Sequence, residues 1–157
     1  MLNDDYIEML QSLSAHGVRF LVVGAYAMGA HGYPRATGDL DLWVESSPEN
    51  AKHIYLALSD FGASMDEIDR QTFAERGIVF QIGVAPRRID LLTHIDGVEF
   101  NEAYQAREEI QLGGLTISLL SKDHIIQNKK STGRKKDELD VEYLEGPSPT
   151  QERKNQD

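Results

Sequence analysis

An apolar run that passes directly into a glycine and a small-residue segment constrains the fold most. Residues 19–23 are RFLVV, a short apolar stretch typical of a buried strand. Residues 24–32, GAYAMGAHG, follow without a linker and predict a tight helix bracketed by Gly24 and Gly32. Residues 39–45, DLDLWVE, alternate polar and apolar side chains, which predicts a second strand. A strand, a helix and a strand in close succession indicate a fold that mixes the two kinds of element.

The rest of the chain continues this mixture and ends in helices. Asn3 is a suitable cap for a first helix, Ser46 or Ser47 for a third, and Ser121 for a late one. We therefore predict an α/β (α+β) fold, a small mixed β-sheet with helices packed on it and a short C-terminal helical subdomain. The predicted helices cover residues 4–15, 24–32, 48–62, 100–108, 121–132 and 134–145, and the predicted strands cover 19–23, 39–45, 78–83, 88–94 and a hairpin at 109–120.

Length and local composition suggest how these elements are grouped. A chain of 157 residues is long enough for one compact domain with a real core. We assign residues 1–118 to a core domain and 119–145 to a C-terminal helical pair. Residues 146–157 contain two prolines and no large apolar side chain, which predicts a disordered tail.

Charge and residue usage exclude several classes of protein. The formal net charge of −10 argues against a broad nucleic-acid-binding face, which is usually basic. The absence of cysteine excludes disulfides, cysteine nucleophiles and thiolate zinc sites, and it fits a reducing compartment. No apolar stretch is long enough to span a membrane, and the acidic N-terminus does not resemble a signal peptide. We therefore expect a cytoplasmic protein that does not contact membranes.

Three aspartates form the most informative chemical pattern. Asp39 and Asp41 are two residues apart in a predicted strand, so their side chains share one face. Asp90 lies inside another predicted strand, between two apolar residues, where an unpartnered carboxylate is unfavourable. If the two strands are neighbours, the three carboxylates could hold Mg²⁺, which prefers carboxylate, water and phosphate oxygens. Such a site could support an in-line phosphoryl displacement with two metal ions, and Asp90 could take a proton from an attacking hydroxyl.

The turn at Gly24 offers a place for phosphate. It follows a strand and opens a helix, and helix N-termini attract anions. Many α/β proteins have such a glycine, so the turn by itself is weak evidence. An Asp-x-Asp strand 15 residues further along makes the pattern much more specific.

Together these residues resemble the DNA polymerase β-like nucleotidyltransferase superfamily, and more closely its small bacterial members, including the nucleotidyltransferase toxins of abortive-infection systems. The resemblance extends over about residues 18–144. It rests on three motifs, namely Gly24-Ala25, the Arg35-Ala36-Thr37-Gly38-Asp39-Leu40-Asp41-Leu42 segment with the later Asp90, and Lys129 followed by Gly133-Arg134-x-x-Asp137-x-x-Asp140.

The resemblance implies a nucleotidyltransferase-like fold and a specific set of site residues. Asp39, Asp41 and Asp90 would be both catalytic residues and ligands of Mg²⁺, with two ions expected. The residues implied to bind the nucleoside triphosphate, such as ATP, are Gly24, Ala25, Arg35, Thr37 and Lys129. Ala25 departs from the pattern, because many active members have a serine or glycine there.

The implied reaction is Mg²⁺-dependent transfer of a nucleoside monophosphate from a triphosphate to a hydroxyl, with release of pyrophosphate. The acceptor stays open between a protein, a tRNA end and a small molecule. The alternative is a nucleotide-binding or partner-binding module with weak or lost catalysis, one half of a toxin–antitoxin pair. An antitoxin protein or a second copy of the chain would then be the partner.

Some of these residues also have simpler structural interpretations. Arg134 and Asp137 are spaced i, i+3 and could merely form an ion pair on a helix. Lys129 could be one of several cations near a helix C-terminus, where positive charge is favourable. The acidic segment at residues 66–69 is most simply a solvated loop.

Overall fold

The computed structural model describes residues 2–33 and 38–146. The order of its elements matches the order predicted from the sequence, with one short 3-10 helix, Thr72–Ala74, in the segment after the third helix. The helices are α1 (Asp4–Ala15), α2 (Gly24–Ala30), α3 (Pro48–Phe61), α4 (Phe100–Gln105), α5 (Lys122–Thr132) and α6 (Lys135–Glu145), and the strands are β1 (Phe20–Val23), β2 (Leu40–Val44), β3 (Val79–Ile82), β4 (Ile89–Leu92), β5 (Glu108–Leu112) and β6 (Leu115–Leu119).

The helix starts follow from local side-chain chemistry. The side chains of Asn3, Ser47 and Ser121 each accept a hydrogen bond from a backbone N–H in the first turn of the following helix. α4 is shorter than predicted and ends at Gln105. The chain leaves the helix there because Glu108 begins β5 and pairs with Leu119.

The six strands form one mixed sheet in the order β3-β4-β2-β1-β6-β5. β1 runs antiparallel to β2, whereas β2 runs parallel to β4 and β1 runs parallel to β6. β3 and β5 lie at the two outer edges, each antiparallel to its single neighbour. This order places the strands that carry the aspartates in direct contact near the middle of the sheet.

The sheet is covered on both faces. Leu42 of β2 is fully buried, and so is Trp43, whose side chain points to the opposite face. Trp43 packs edge-to-face on Phe100 of α4, with ring centroids 5.1 Å apart. α1 and α3 pack together, and the Ser12 hydroxyl donates a hydrogen bond to the carbonyl of Ala57 at 2.7 Å. Buried apolar side chains thus hold β2 on both faces of the sheet. They restrict the position of Asp41, which precedes Leu42 and Trp43 in the same strand.

In the part of the chain that the structure describes, the helices are all too short or too polar to cross a lipid bilayer.

Candidate active site

The pairing of β2 with β4 brings the predicted aspartates together. Asp41 and Asp90 are register partners in adjacent parallel strands, so their side chains lie next to each other on one face. Asp39 precedes β2 by one residue, on the same side as Asp41. Asp90 is buried, whereas Asp39 and Asp41 are partly exposed. The carboxylates predicted from the sequence to form one site therefore do converge.

Arg88 is a member of this cluster that the motif analysis missed. Its Nη2 lies 2.7 Å from Asp39 Oδ2, and its Nε lies 2.9 Å from Asp90 Oδ1. A second contact joins Nη2 to Asp90 Oδ2 at 3.3 Å. The guanidinium thus bridges two of the three carboxylates. The available signal was the Arg88-x-Asp90 spacing, which places both side chains on the same face of β4.

The third carboxylate, Asp41, is crowded by negative charge. Its pKa is raised from 3.8 to about 6, first by burial and then by the charges of Asp90 and Asp39. A hydrogen bond between the Asp41 and Asp90 carboxyl groups also favours the protonated form, and only the charge of Arg88 opposes the shift. Arg88 alone does not balance the three acids, so the site carries an excess of buried negative charge near neutral pH.

The donor set matches Mg²⁺ in chemistry, since all three side chains supply hard carboxylate oxygens. Within the described ranges, however, no three histidine, aspartate or glutamate side chains are grouped closely enough to hold an ion as they stand. Arg88 instead contacts both Asp39 and Asp90. For all three to hold a metal ion together, Arg88 would have to release at least one of those oxygens.

Gly24 stands against the same cluster for a steric reason. Its backbone φ angle is +69°, a value that residues other than glycine rarely adopt. A Cβ at this position would lie 2.4 Å from Asp41 Oδ2. The sequence suggested that glycine admits phosphate here, and the structure adds that glycine admits the Asp41 carboxylate.

We expect Gly24→Ala to destabilise the fold and displace Asp41. The left-handed backbone costs about 1–2 kcal/mol for a residue with a Cβ, and the contact with Asp41 adds to it. Gly17→Ala is the matched control, because Gly17 has φ +67° but nothing within 4 Å of an added Cβ. Urea unfolding of both variants separates backbone strain from the clash. Equal losses of stability would contradict the proposed contact with Asp41.

Tyr6 of α1 holds the backbone segments that precede Asp39 and Asp90. Its hydroxyl donates to the carbonyl of Gly38, which precedes Asp39, and lies 3.2 Å from the carbonyl of Arg88. Tyr6 is fully buried. The sequence does not reveal this role of Tyr6, because its polar partners are distant in the chain.

A cleft of about 310 Å³ connects this cluster to the C-terminal helices. Gly24 and Asp41 line it on the side of the sheet, and Lys129 and Arg134 line it on the side of the helical pair. Gly24, Asp41 and the basic side chains of Lys129 and Arg134 therefore face one shared space. A phosphate chain in this cleft would meet both the acidic and the basic side chains.

Two buried carboxylates hold Lys129 at the cleft. Its Nζ lies 3.2 Å from Asp137 Oδ1 and 3.2 Å from Asp140 Oδ2, and both carboxylates are only 3% exposed. Arg134 Nε contacts Asp137 Oδ2 at 2.9 Å, so the predicted i, i+3 pair is confirmed. The Tyr33 hydroxyl donates to Asp140 Oδ1 at 2.9 Å. An ammonium has three donors, so two contacts leave one N–H of Lys129 for a ligand.

These contacts also set the ionisation of Asp137. Burial pushes its pKa upward, but hydrogen bonds from Thr132 and Lys129 and the charges of Lys129 and Arg134 together hold the pKa below its usual value. Asp137 is therefore a carboxylate whose charge depends on its cationic neighbours.

The remaining residues predicted to bind the nucleotide are Ala25, Arg35 and Thr37. Ala25 is the second residue of α2 and is partly buried. Its side chain offers no hydroxyl, as the sequence indicated. Arg35 and Thr37 lie outside the described residues, as do residues 147–157 of the predicted tail at 146–157.

A family described as "nucleotidyl transferase of unknown function" (DUF2204) matches residues 2–153. The chain belongs to this family. No curated protein matches the DUF2204 chain.

A crystal structure from Thermotoga maritima, of a provisionally assigned nucleotidyltransferase (TM1012), superposes on the DUF2204 chain with a TM-score of 0.56. The two share 18% sequence identity, and the match covers 92% of this chain and 96% of that one. At this identity the likeness establishes the fold. The predicted nucleotidyltransferase-like α+β fold is thereby confirmed.

Proposed function

We propose that the chain is a Mg²⁺-dependent nucleotidyltransferase that moves a nucleoside monophosphate from a triphosphate to a hydroxyl and releases pyrophosphate. The observation that carries the proposal is the pairing of Asp41 with Asp90, beside Asp39, at a cleft that Asp41, Gly24 and Lys129 line. Family membership supports the same class of reaction.

Each group has a distinct task in this reaction. Asp39, Asp41 and Asp90 would hold Mg²⁺, which when bound neutralises charge on the triphosphate. The N–H of Lys129 that its carboxylate partners leave free would bind a phosphate oxygen. The acceptor oxygen bonds to the α-phosphorus, the bond to the bridging oxygen breaks, and pyrophosphate leaves. Asp90 takes the hydroxyl proton as Arg88 shifts away from it.

The direct test is transfer of label from [α-³²P]NTP in the presence of Mg²⁺, with Asp39→Ala as the variant. We expect Asp39→Ala to retain its fold, since Asp39 is partly exposed, and to lose transfer. Asp96→Ala is the matched control, because Asp96 lines the same cleft away from β2. Transfer that persists in Asp39→Ala at the wild-type rate would refute the proposal.

A nucleotide-binding module with weak catalysis is the second candidate, and two observations favour it. Ala25 lacks the hydroxyl or flexibility found at this turn in many active relatives of the superfamily, and Arg88 engages two of the three carboxylates. This candidate is compatible with a toxin–antitoxin role, with an antitoxin or a second copy of the chain as partner. Thermal stabilisation by Mg²⁺ and NTP, without transfer to any tested protein, tRNA or small-molecule hydroxyl, would favour it.

A further inference from the structure

The outer edge of β3 lacks the charged residues that protect the β5 edge of the sheet from pairing with another strand. Exposed sheet edges are usually blunted by charge, proline or a covering segment, because they otherwise pair with another strand. β5, at the opposite edge, begins with Glu108 and Glu109. β3 reads VFQI, with no charge or proline, and Val79 is 61% exposed.

The hydrogen-bonding groups of this edge can be assigned from the register. Thr93 donates its backbone N–H to the carbonyl of Ile78, so the polar groups of residue 78 face β4. By alternation those of residues 80 and 82 also face β4, and those of Val79 and Gln81 face outward. Among residues 2–33 and 38–146, no loop or side chain hydrogen-bonds to Val79 or Gln81.

A groove of about 350 Å³ runs beside this edge. Residues 80–83 form one wall, and Ser64, Asp66 and Glu67 form the other. Both acidic side chains are exposed. The groove therefore offers the outward backbone groups of Gln81 on one side and negative charge on the other, and those of Val79 continue the same edge, a combination that fits an extended basic peptide.

The edge is close to the candidate active site. Gln81 is the register partner of Asp90, so the two side chains share a face of the sheet. Adjacent strands lie about 4.8 Å apart, so a strand added beyond β3 would lie about 10 Å from Asp90. β4, which carries Asp90, is the only strand between β3 and β2.

We propose that the β3 edge is the docking site of the acceptor, which is an extended basic polypeptide that adds as a seventh strand and presents a side-chain hydroxyl to the nucleotide. This inference rests on the proposed function. The hydroxyl oxygen bonds to the α-phosphorus, the bond between the α-phosphorus and the α,β-bridging oxygen breaks, pyrophosphate leaves, and the hydroxyl proton passes to Asp90. A second copy of this chain fits less well, because pairing two β3 edges would bring two acidic rims together on chains of net charge −10.

Docking can be measured without catalysis. The probe is a fluorescent peptide of about seven residues, a strand's usual length, with alternating lysine and valine and a central tyrosine. We expect it to bind the full-length protein in fluorescence anisotropy. Asp66→Lys with Glu67→Lys should weaken binding roughly tenfold or more. Glu108→Lys with Glu109→Lys makes the same charge change at the β5 edge and should leave binding within about twofold.

A second arm tests the backbone pairing without changing the protein. The same peptide with N-methyl groups on alternate amides keeps its charge but loses donors to Val79 and Gln81, and it should bind at least roughly tenfold more weakly. The docking proposal is overturned if the basic peptide fails to bind at millimolar concentration. It is also overturned if the methylated peptide or a glutamate-for-lysine peptide binds equally well, or if the edge pairs two copies of the chain in sedimentation.

The final arm separates this inference from the proposed function. With Mg²⁺ and [α-³²P]NTP, label should pass to the tyrosine peptide in the wild-type protein and not in the Asp66→Lys, Glu67→Lys variant, which should still show thermal stabilisation by Mg²⁺ and NTP. Loss of peptide binding with retained nucleotide binding identifies the docking site. Label that passes to a tRNA end in preference to the peptide would overturn the acceptor assignment while leaving nucleotidyl transfer intact.

Discussion

Asp41→Asn is expected to make the metal-free protein more stable near pH 7.5 while reducing Mg²⁺-dependent transfer by about a thousandfold or more, because the substitution removes a metal ligand. The raised pKa of Asp41, about 6 instead of 3.8, means that the folded state resists its ionisation. A shift of about two pKa units corresponds to about 3 kcal/mol. Because Asp41 is partly exposed to solvent, we expect a gain of about 1–2 kcal/mol in the free energy of unfolding.

The pH dependence of this gain has a definite sign. Below about pH 4 the carboxyl is protonated in both the folded and the unfolded state, so its charge costs nothing. Between about pH 4 and pH 6 the folded state binds the proton more tightly, and the wild-type protein loses stability as pH rises. Asp41→Asn lacks this loss.

Urea unfolding in EDTA at about pH 4 and pH 7.5 measures both effects. The surface substitution Asp66→Asn serves as the control and should change stability by less than about 0.5 kcal/mol at either pH. Added Mg²⁺ should raise the unfolding temperature of the wild-type protein at pH 7.5 and not that of Asp41→Asn. An Asp41→Asn variant that is less stable than the wild type at pH 7.5 would show that Asp41 is not a strained carboxylate.

Structural features that depend on neighbouring residues in the chain could be predicted from the sequence. Caps such as Ser47 and stops such as Gly62 and Gly133 act within one helical turn, so the sequence predicted the helices well. The alternation around Asp41 correctly predicted a strand with its carboxylate opposite Leu40 and Leu42. These features need no knowledge of which strands become neighbours.

Features that depend on strand pairing were predicted only in part. The meeting of Asp41 and Asp90 was conditional on β2 lying beside β4, which the structure supplies. The role of Arg88 was missed, because the Arg88-x-Asp90 spacing places it only on the face of Asp90, and its contact with Asp39 exists only once β2 and β4 pair. The Tyr6 hydroxyl was missed for the same reason, since its acceptor carbonyls belong to the loops before β2 and β4.

In the basic segment from Lys129 to Arg134, the contact between near neighbours was also predicted and the more distant contacts were not. The ion pair of Arg134 with Asp137, which the i, i+3 spacing indicated, is present, with Arg134 at the N-cap of α6 and Asp137 in its first turn. The sequence assigned Lys129 a role toward phosphate but no partners. The structure adds that Asp137 and Asp140 hold Lys129. The role toward phosphate stays a prediction, and it must now be separated from a structural role.

Lys129→Met is expected to be the most destabilising single substitution outside the core. It would leave Asp137 and Asp140 buried without their shared cation, and removal of one partner of a buried pair typically costs 3–5 kcal/mol. Thr132, Arg134 and Tyr33 remain as partners, so we expect about 3 kcal/mol. Urea unfolding measures this loss.

Lys130→Met is the matched control for that loss. Lys130 is the next residue along α5, but its side chain is 58% exposed and pairs with Glu145 at 2.8 Å on the surface. Exposed ion pairs contribute little, so we expect a change below about 1 kcal/mol. A similar loss in both lysine variants would indicate a general sensitivity of α5 to charge rather than a buried ion cluster.

The double variant Lys129→Met, Asp140→Asn separates structure from nucleotide binding. Neutralising Asp140 removes one of the two buried charges that Lys129 contacts in the wild type, so most of the lost stability should return. Lys129 would still be absent from the cleft. We therefore expect thermal stabilisation by Mg²⁺ with each of the four common NTPs to remain weaker than in the wild type, where saturating ligand at 100 times Kd adds about 2.7 kcal/mol. If the double variant regains both stability and full nucleotide stabilisation, Lys129 only holds the helical pair together, and phosphate binding must be assigned to other groups.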